Sequence, residues 1–264
     1  MVFSSLGIVV LTKRINFIAC WQRLSRAVWI SFFIISPYTY AEDLQFITVD
    51  VAPWAYVNKE KNKFLGVFPD LVREIERRTG HHITMTLAPL SLDRINRELQ
   101  SGRQDCTMII SGKERAEITV LGEKVFDLPM GVVAKKSLPL HTYEDLYSMT
   151  ISVGKVLMEE GKFMSDKRLN KQLDASYAAG LRKIAHGRLD AVAGAVPTIM
   201  HLAKAMGINE IVGKPLVLSV DPIYLQCSKE SKNLRYMDEI NQAIKSMRLD
   251  VTLKKIADDN LWTY

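Results

Sequence analysis

Apolar and polar positions alternate along Leu44-Gln-Phe-Ile-Thr-Val-Asp-Val51, the period-two pattern of a strand. Ala52-Pro-Trp-Ala-Tyr56 interrupts it, and residues 58–62 form a charged turn. Pro69 then stands in the first turn of a helix whose Leu71, Val72 and Ile75 share one face, closed by Gly80. A strand over 82–87, a helix over 92–99 closed by Gly102, and a strand over 106–110 follow. This β-α-β-α-β succession predicts an α/β fold with a parallel, doubly wound sheet.

The pattern then repeats. Gly131-Val-Val-Ala-Lys135 is a further strand, and Tyr143-Glu-Asp-Leu146 opens a new region. That region has a strand over 150–153, a helix over 178–186 ending at Gly187, a strand over 189–193 and a helix over 196–205. A strand over 223–227 precedes two helices, 234–247 and 251–262, which have no sheet of their own. They are expected to return to the first unit. The expected division is therefore a lobe 1 of residues 42–130 and 226–264 and a lobe 2 of residues 131–225, joined by two crossings. A hinged cleft between such lobes is a common place for a small molecule.

The first 41 residues stand apart. Arg23 and Arg26 precede the apolar run Ala27 to Ile35, and Thr39-Tyr-Ala41 supplies small residues at the critical positions. Basic, apolar and small segments in that order describe a signal peptide with cleavage expected after Ala41. The run is short of the roughly 20 residues that span a bilayer, and an uncleaved membrane anchor is the rival reading. Cys20 lacks the surroundings of a lipid-modified cysteine.

That segment also changes the charge. The whole chain has 35 Lys and Arg against 29 acids, a net +6. Without Lys13, Arg14, Arg23 and Arg26 the balance falls to 31 against 29, a net +2. No basic cluster with interleaved aromatics remains, so nucleic acid is not an expected partner. Cys106 and Cys227 remain outside the leader. In an oxidising compartment they are either a disulfide or two buried thiols.

The candidate chemistry lies in Leu99-Gln-Ser-Gly-Arg-Gln-Asp-Cys-Thr-Met-Ile-Ile-Ser-Gly-Lys-Glu-Arg115. A helix ends at Gly102, a buried strand follows, and a polar loop presents Arg115 at the strand's C-terminal edge. Open α/β sheets bind ligands at that edge. The guanidinium is a rigid fork of donors suited to a carboxylate. An enzyme would need an acid and a base in the cleft, and the candidates are Glu114, His186 and Asp190. Each has a plainer reading: an exposed carboxylate, a helix-capping histidine, and an aspartate holding backbone groups at a strand start. His81-His82 has no third ligand at metal spacing. There is no Ser-His-Asp order and no phosphate-cradling glycine loop, so no cofactor is expected.

Several segments together resemble the family 3 solute-binding proteins of bacterial transporters, with the type II periplasmic binding fold. They are Ala52-Pro-Trp-Ala-Tyr56 with Gly66-Val-Phe-Pro-Asp-Leu71, Leu99-Gln-Ser-Gly-Arg-Gln-Asp105, and Ser111-Gly-Lys-Glu-Arg115 with Phe126-Asp-Leu-Pro129. Gly187-Arg-Leu-Asp-Ala-Val192 and the tail ending in Leu261-Trp262 complete the set. The resemblance runs from about Phe46 to Trp262. It implies that Arg115 grips a ligand carboxylate with backbone help near Ser111, and that Trp54 and Tyr56 wall the ligand's other end. Amino-acid binders of this family usually place an acid after the second-lobe strand, where this chain has Ala195. Their Gly-Ser or Gly-Thr pair near the start of the second lobe is replaced by Val153-Gly-Lys-Val-Leu157. Lys155 there is a candidate cation for the cleft.

The resemblance thus implies a periplasmic monomer that binds a carboxylate-bearing solute, not necessarily an α-amino acid, for an inner-membrane ABC transporter. Signalling to a membrane sensor is the alternative, and a dehydratase-like enzyme a more distant one.

Overall fold

The structure is a computed structural model that describes residues 43–58, 60, 62–89, 92–154 and 161–261. The expected leader and Lys155 lie outside the described residues. Lobe 1 begins with β1 (Leu44–Val49), the short hairpin β2 (Tyr56–Asn58) and β3 (Lys63–Leu65), and α1 (Val67–Thr79). It continues through β4 (Ile83–Ala88), α2 (Leu92–Gln100), β5 (Cys106–Ile110) and the short α3 (Lys113–Ile118). The long strand β6 (Thr119–Ala134) then carries the chain into lobe 2.

Lobe 2 holds a 3-10 turn (Tyr143–Ser148), β7 (Thr150–Gly154), α4 (Lys162–Ser165), β8 (Asn170–Asp174) and α5 (Tyr177–Ala185). β9 (Ala191–Ala195) and α6 (Val196–Ala205) complete it, and β10 (Leu216–Ser228) leads back. The chain ends in α7 (Met237–Leu249) and α8 (Thr252–Asn260). Both pack on α1, so the closing helices do return to the first unit.

Among the described residues the strands form one eight-stranded sheet in the order β4-β1-β5-β10-β6-β9-β7-β8. β4-β1-β5 and β9-β7-β8 are parallel triplets, one per lobe. The antiparallel pair β10 and β6 joins them. Each triplet is covered on both faces. In lobe 1, Phe46, Leu71, Ile75 and Ile244 fill one layer, and Ile47, Ile95 and Leu99 the other. In lobe 2 the layers are built on Ile151 with Leu146 and on Val192 with Leu181.

The crossing strands are longer than the pattern predicts, since β6 was expected only over 131–135 and β10 only over 223–227. Pro129 and Pro222 break the alternation, yet both sit inside the strands. Proline has no N–H for a ladder and is tolerated where one edge is open. β6 meets β9 only from Met130 onward, and β10 meets β5 only from Ile223 onward. Each proline stands just before its strand gains a second neighbour. The strand β8 went unpredicted because it is a polar edge, with Leu173 exposed. Cys106 and Cys227 face each other across β5 and β10 and are joined as a disulfide.

Candidate functional site

The site is assembled by two short backbone devices, one in each lobe. In lobe 1, Val51 and Ala55 bridge around a tight turn containing a cis Ala52–Pro53 bond. The carbonyls of Pro53 and Trp54 accept from Val67 N (3.1 Å) and Phe68 N (2.9 Å), the first two residues of α1. That pins the turn to the helix and holds the Trp54 indole against Phe68, with ring centroids 5.6 Å apart.

In lobe 2, Gly194 has φ +149°, and a Cβ there would lie 2.3 Å from the Tyr177 ring. Only glycine lets β9 pass so close to that ring. The Tyr177 hydroxyl accepts from Ala195 N at 3.2 Å. Burial pushes the phenol up to about 12, so it stays protonated. Ala195 caps α6, and Pro197 and Thr198 lie in its first turn.

These devices meet across the cleft. Trp54 Nε1 donates to Thr198 Oγ1 at 2.9 Å, a buried bond between groups 144 residues apart. The lobes are therefore closed on each other, and Ala195 packs into the apolar layer of lobe 1. Beneath the indole lies a cavity of about 30 Å³, room for a water or two. Val49, Val51, Phe68, Met108, Leu128 and Ile223 contribute to its walls, with Ile110 at the end of β5. Ala195 and Thr198 are its lobe 2 residues.

Arg115 departs from its expected setting. It lies not in a loop but in α3, and it is 4% exposed. Its Nη2 donates to the Ile110 carbonyl at 2.7 Å, and its Nη1 to Asn96 Oδ1 at 3.2 Å. Asn96 Nδ2 in turn donates to Glu114 Oε2 at 2.9 Å. The guanidinium is therefore tied to the backbone of Ile110, a wall residue of the cavity. A buried cation needs such acceptors, because losing water unaided is costly.

The other expected residues are dispersed. Ser111 is exposed at the end of β5. Tyr56 is half-buried and faces a separate polar recess of about 240 Å³ with His201, Asp258 and Asp259. Desolvation, aided by Lys204, lowers the His201 pKa. Trp54 lines the cavity and Arg115 bonds its wall at Ile110; Ser111 and Tyr56 do not line it.

The three acid–base candidates hold the scaffold. His186 bonds the Arg182 carbonyl through Nδ1 at 2.7 Å, the capping role. Asp190 accepts from Thr150 N (2.9 Å) and Lys135 Nζ (3.0 Å). The Thr150 N–H is the main cause holding its carboxyl below the usual range, with Lys135 adding to it against burial. Glu114 bonds Asn96. None of the three lines the cavity. Among the described residues no group of three or more His, Cys, Asp or Glu could hold a metal ion.

The sequence from residue 46 to 262 matches the bacterial extracellular solute-binding proteins, family 3. The chain belongs to that family. One relative is the probable amino-acid-binding protein YxeM of Bacillus subtilis (strain 168), 22% identical over 217 residues, 78% of each chain. A histidine kinase sensor domain with similarity to periplasmic binding proteins superposes with a TM-score of 0.68 at 15% identity, covering 84% of this chain and 98% of that one. A mutant of ArgBP from T. maritima gives 0.66 at 19% identity, covering 83% and 94%. Such likenesses establish the two-lobed fold.

For this family 3 protein, periodicity alone missed Asn96, Thr198 and Tyr177 as parts of the site. A signal existed for Asn96, a polar residue on the face of α2 that carries Leu92, Ile95 and Leu99. Thr198 follows the helix-starting Pro197, but nothing local shows that its partner is Trp54.

Proposed function

We propose that this protein, exported to the periplasm by a leader ending at Ala41, binds a small carboxylate-bearing solute and delivers it to an inner-membrane ABC transporter. The lobes are taken as 42–130 with 226–264, and 131–225, working as a monomer. The observation that carries the reading is the buried Arg115 guanidinium, bonded to the carbonyl of Ile110 in the wall of the interlobe cavity. Asn96 and the Ile110 carbonyl hold it at the cavity-lining end of β5, and a ligand carboxylate would take the place of one of these acceptors. Bidentate carboxylate recognition suits Arg above other residues. Ser111 at the end of β5 adds backbone donors and Trp54 closes over the solute, while Tyr56 and Lys155 are further candidate contacts.

Binding without turnover is favoured because Glu114, His186 and Asp190 are all engaged in structural bonds away from the cavity. Presentation of the loaded form to a membrane sensor is the alternative, since the same fold serves a histidine kinase sensor domain.

Calorimetric titration with small carboxylates tests the reading. Binding by the wild type that weakens by about 100-fold in Arg115→Ala is expected for a lost charge-assisted pair. Binding that survives Arg115→Ala unchanged would overturn it. Turnover of the bound solute would overturn the non-enzymatic part.

A further inference from the structure

Trp54 and Thr198 are both buried, and the bond between them crosses from one lobe to the other. We infer that this bond is a latch with which the protein holds its own lobes shut, and that a solute must part it to enter. The competition with solute rests on the solute-binding reading above; the latch itself does not.

Each partner is fixed within its own lobe. The turn that carries Trp54 is tied to α1 through the Pro53 and Trp54 carbonyls, and the indole lies against Phe68. Thr198 is set by α6, whose cap Ala195 gives its N–H to the Tyr177 hydroxyl. With both partners held in this way, separating the lobes breaks the bond. In the closed arrangement the indole N–H is out of water, and the Thr198 hydroxyl is the acceptor that makes this burial tolerable. In an open one, water takes the place of the hydroxyl. The same seam gains apolar contact, since Ala195 is buried within the lobe 1 layer beside Leu128 and Ile223. The cavity left between the lobes is about 30 Å³, too little for a small carboxylate. The closed form therefore excludes solute, and the larger its share of the molecules, the weaker the apparent affinity.

Thr198→Val keeps the outline of the side chain and removes the acceptor, while Thr198→Ser keeps a hydroxyl. The mature protein has two tryptophans, Trp54 and Trp262, so NMR shows two indole N–H signals, and Trp262→Phe assigns them. Because the Trp54 indole is buried while the lobes are shut, its exchange with deuterated water reports the open fraction. Exchange is expected to speed up by about tenfold or more in Thr198→Val, where a buried donor loses its acceptor, and to stay near the wild-type rate in Thr198→Ser. A hydroxyl that merely steadied α6 would change the melting temperature and leave the exchange rate as it was. A wild-type exchange rate in Thr198→Val overturns the latch, whether or not any carboxylate binds. Calorimetry with lactate, succinate, hydrocinnamate and leucine then tests the competition. A solute that the wild type binds is expected to bind Thr198→Val tighter, by about the factor by which exchange rises. Weaker or unchanged binding overturns the competition and leaves the carboxylate reading standing. Binding of none of the four by either protein overturns the competition with it, and the exchange rates alone then decide the latch.

Discussion

The two lobes carry the same local device with different support. Gly102-Arg-Gln-Asp105 and Gly187-Arg-Leu-Asp190 each end a helix and begin the third strand of a parallel triplet. Both glycines take the left-handed conformation, with φ of +67° and +70°. Both aspartates then reach the backbone at the start of the central strand: Asp105 accepts from Gln45 N at 2.7 Å, and Asp190 from Thr150 N at 2.9 Å. Beyond that the lobes diverge. Asp105 is 5% exposed and also accepts from Ser231 Oγ (2.6 Å) and Asn233 Nδ2 (3.0 Å), on the segment returning from lobe 2. Asp190 is partly open to solvent and is completed by Lys135 from the crossing strand. A shared motif thus fixes a local geometry, and the tertiary partners set how much stability hangs on it.

Three measurements sharpen or break this contrast. The largest effect is expected from the disulfide beside Asp105, which closes a span of 121 residues. Replacing both Cys106 and Cys227 with Ser is expected to lower stability by about 4–5 kcal/mol in a denaturant titration, through the freed entropy of the unfolded chain. An unchanged midpoint would remove the staple as a distinction between the lobes.

Next come the aspartates themselves. Asp105→Ala leaves a backbone N–H and two buried side-chain groups without their acceptor and is expected to cost about 3 kcal/mol. Asp190→Ala, where water reaches the site, is expected to cost about 1 kcal/mol. Equal losses in the two variants would show that burial does not separate the devices.

The smallest effect concerns pH. The Asp190 carboxyl is held below its ordinary value, chiefly by the Thr150 N–H and then by Lys135. A depressed folded-state pKa contributes stability above the unfolded value, about 3.9, and loses it as pH falls through the folded value. The wild type should therefore lose more Tm between about pH 5 and about pH 3 than Asp190→Asn does. Parallel curves for the two proteins would contradict that origin.

Much of the framework was legible from local pattern. The strand Cys106–Ile110 and the helix Val196–Ala205 have the bounds that periodicity predicted, because each presents a continuous apolar face with a glycine or proline at its limit. The aspartate at residue 190 was expected to satisfy backbone groups, and it does. The polar edge β8 was not legible, since an edge strand needs no apolar alternation.

The site was legible only in its ingredients. Trp54, Arg115 and Ala195 stood out as residues, and the sequence by itself determined that they lie at strand ends and helix starts of an α/β chain. The tertiary structure decided which way each turns. Arg115 points inward because Asn96, on another helix, and the Ile110 carbonyl offer acceptors there. Trp54 spans the cleft because Thr198, 144 residues away, takes its indole proton. Periodicity records that a face is buried; it carries no record of which distant group covers that face, and buried polar atoms are set by their partners.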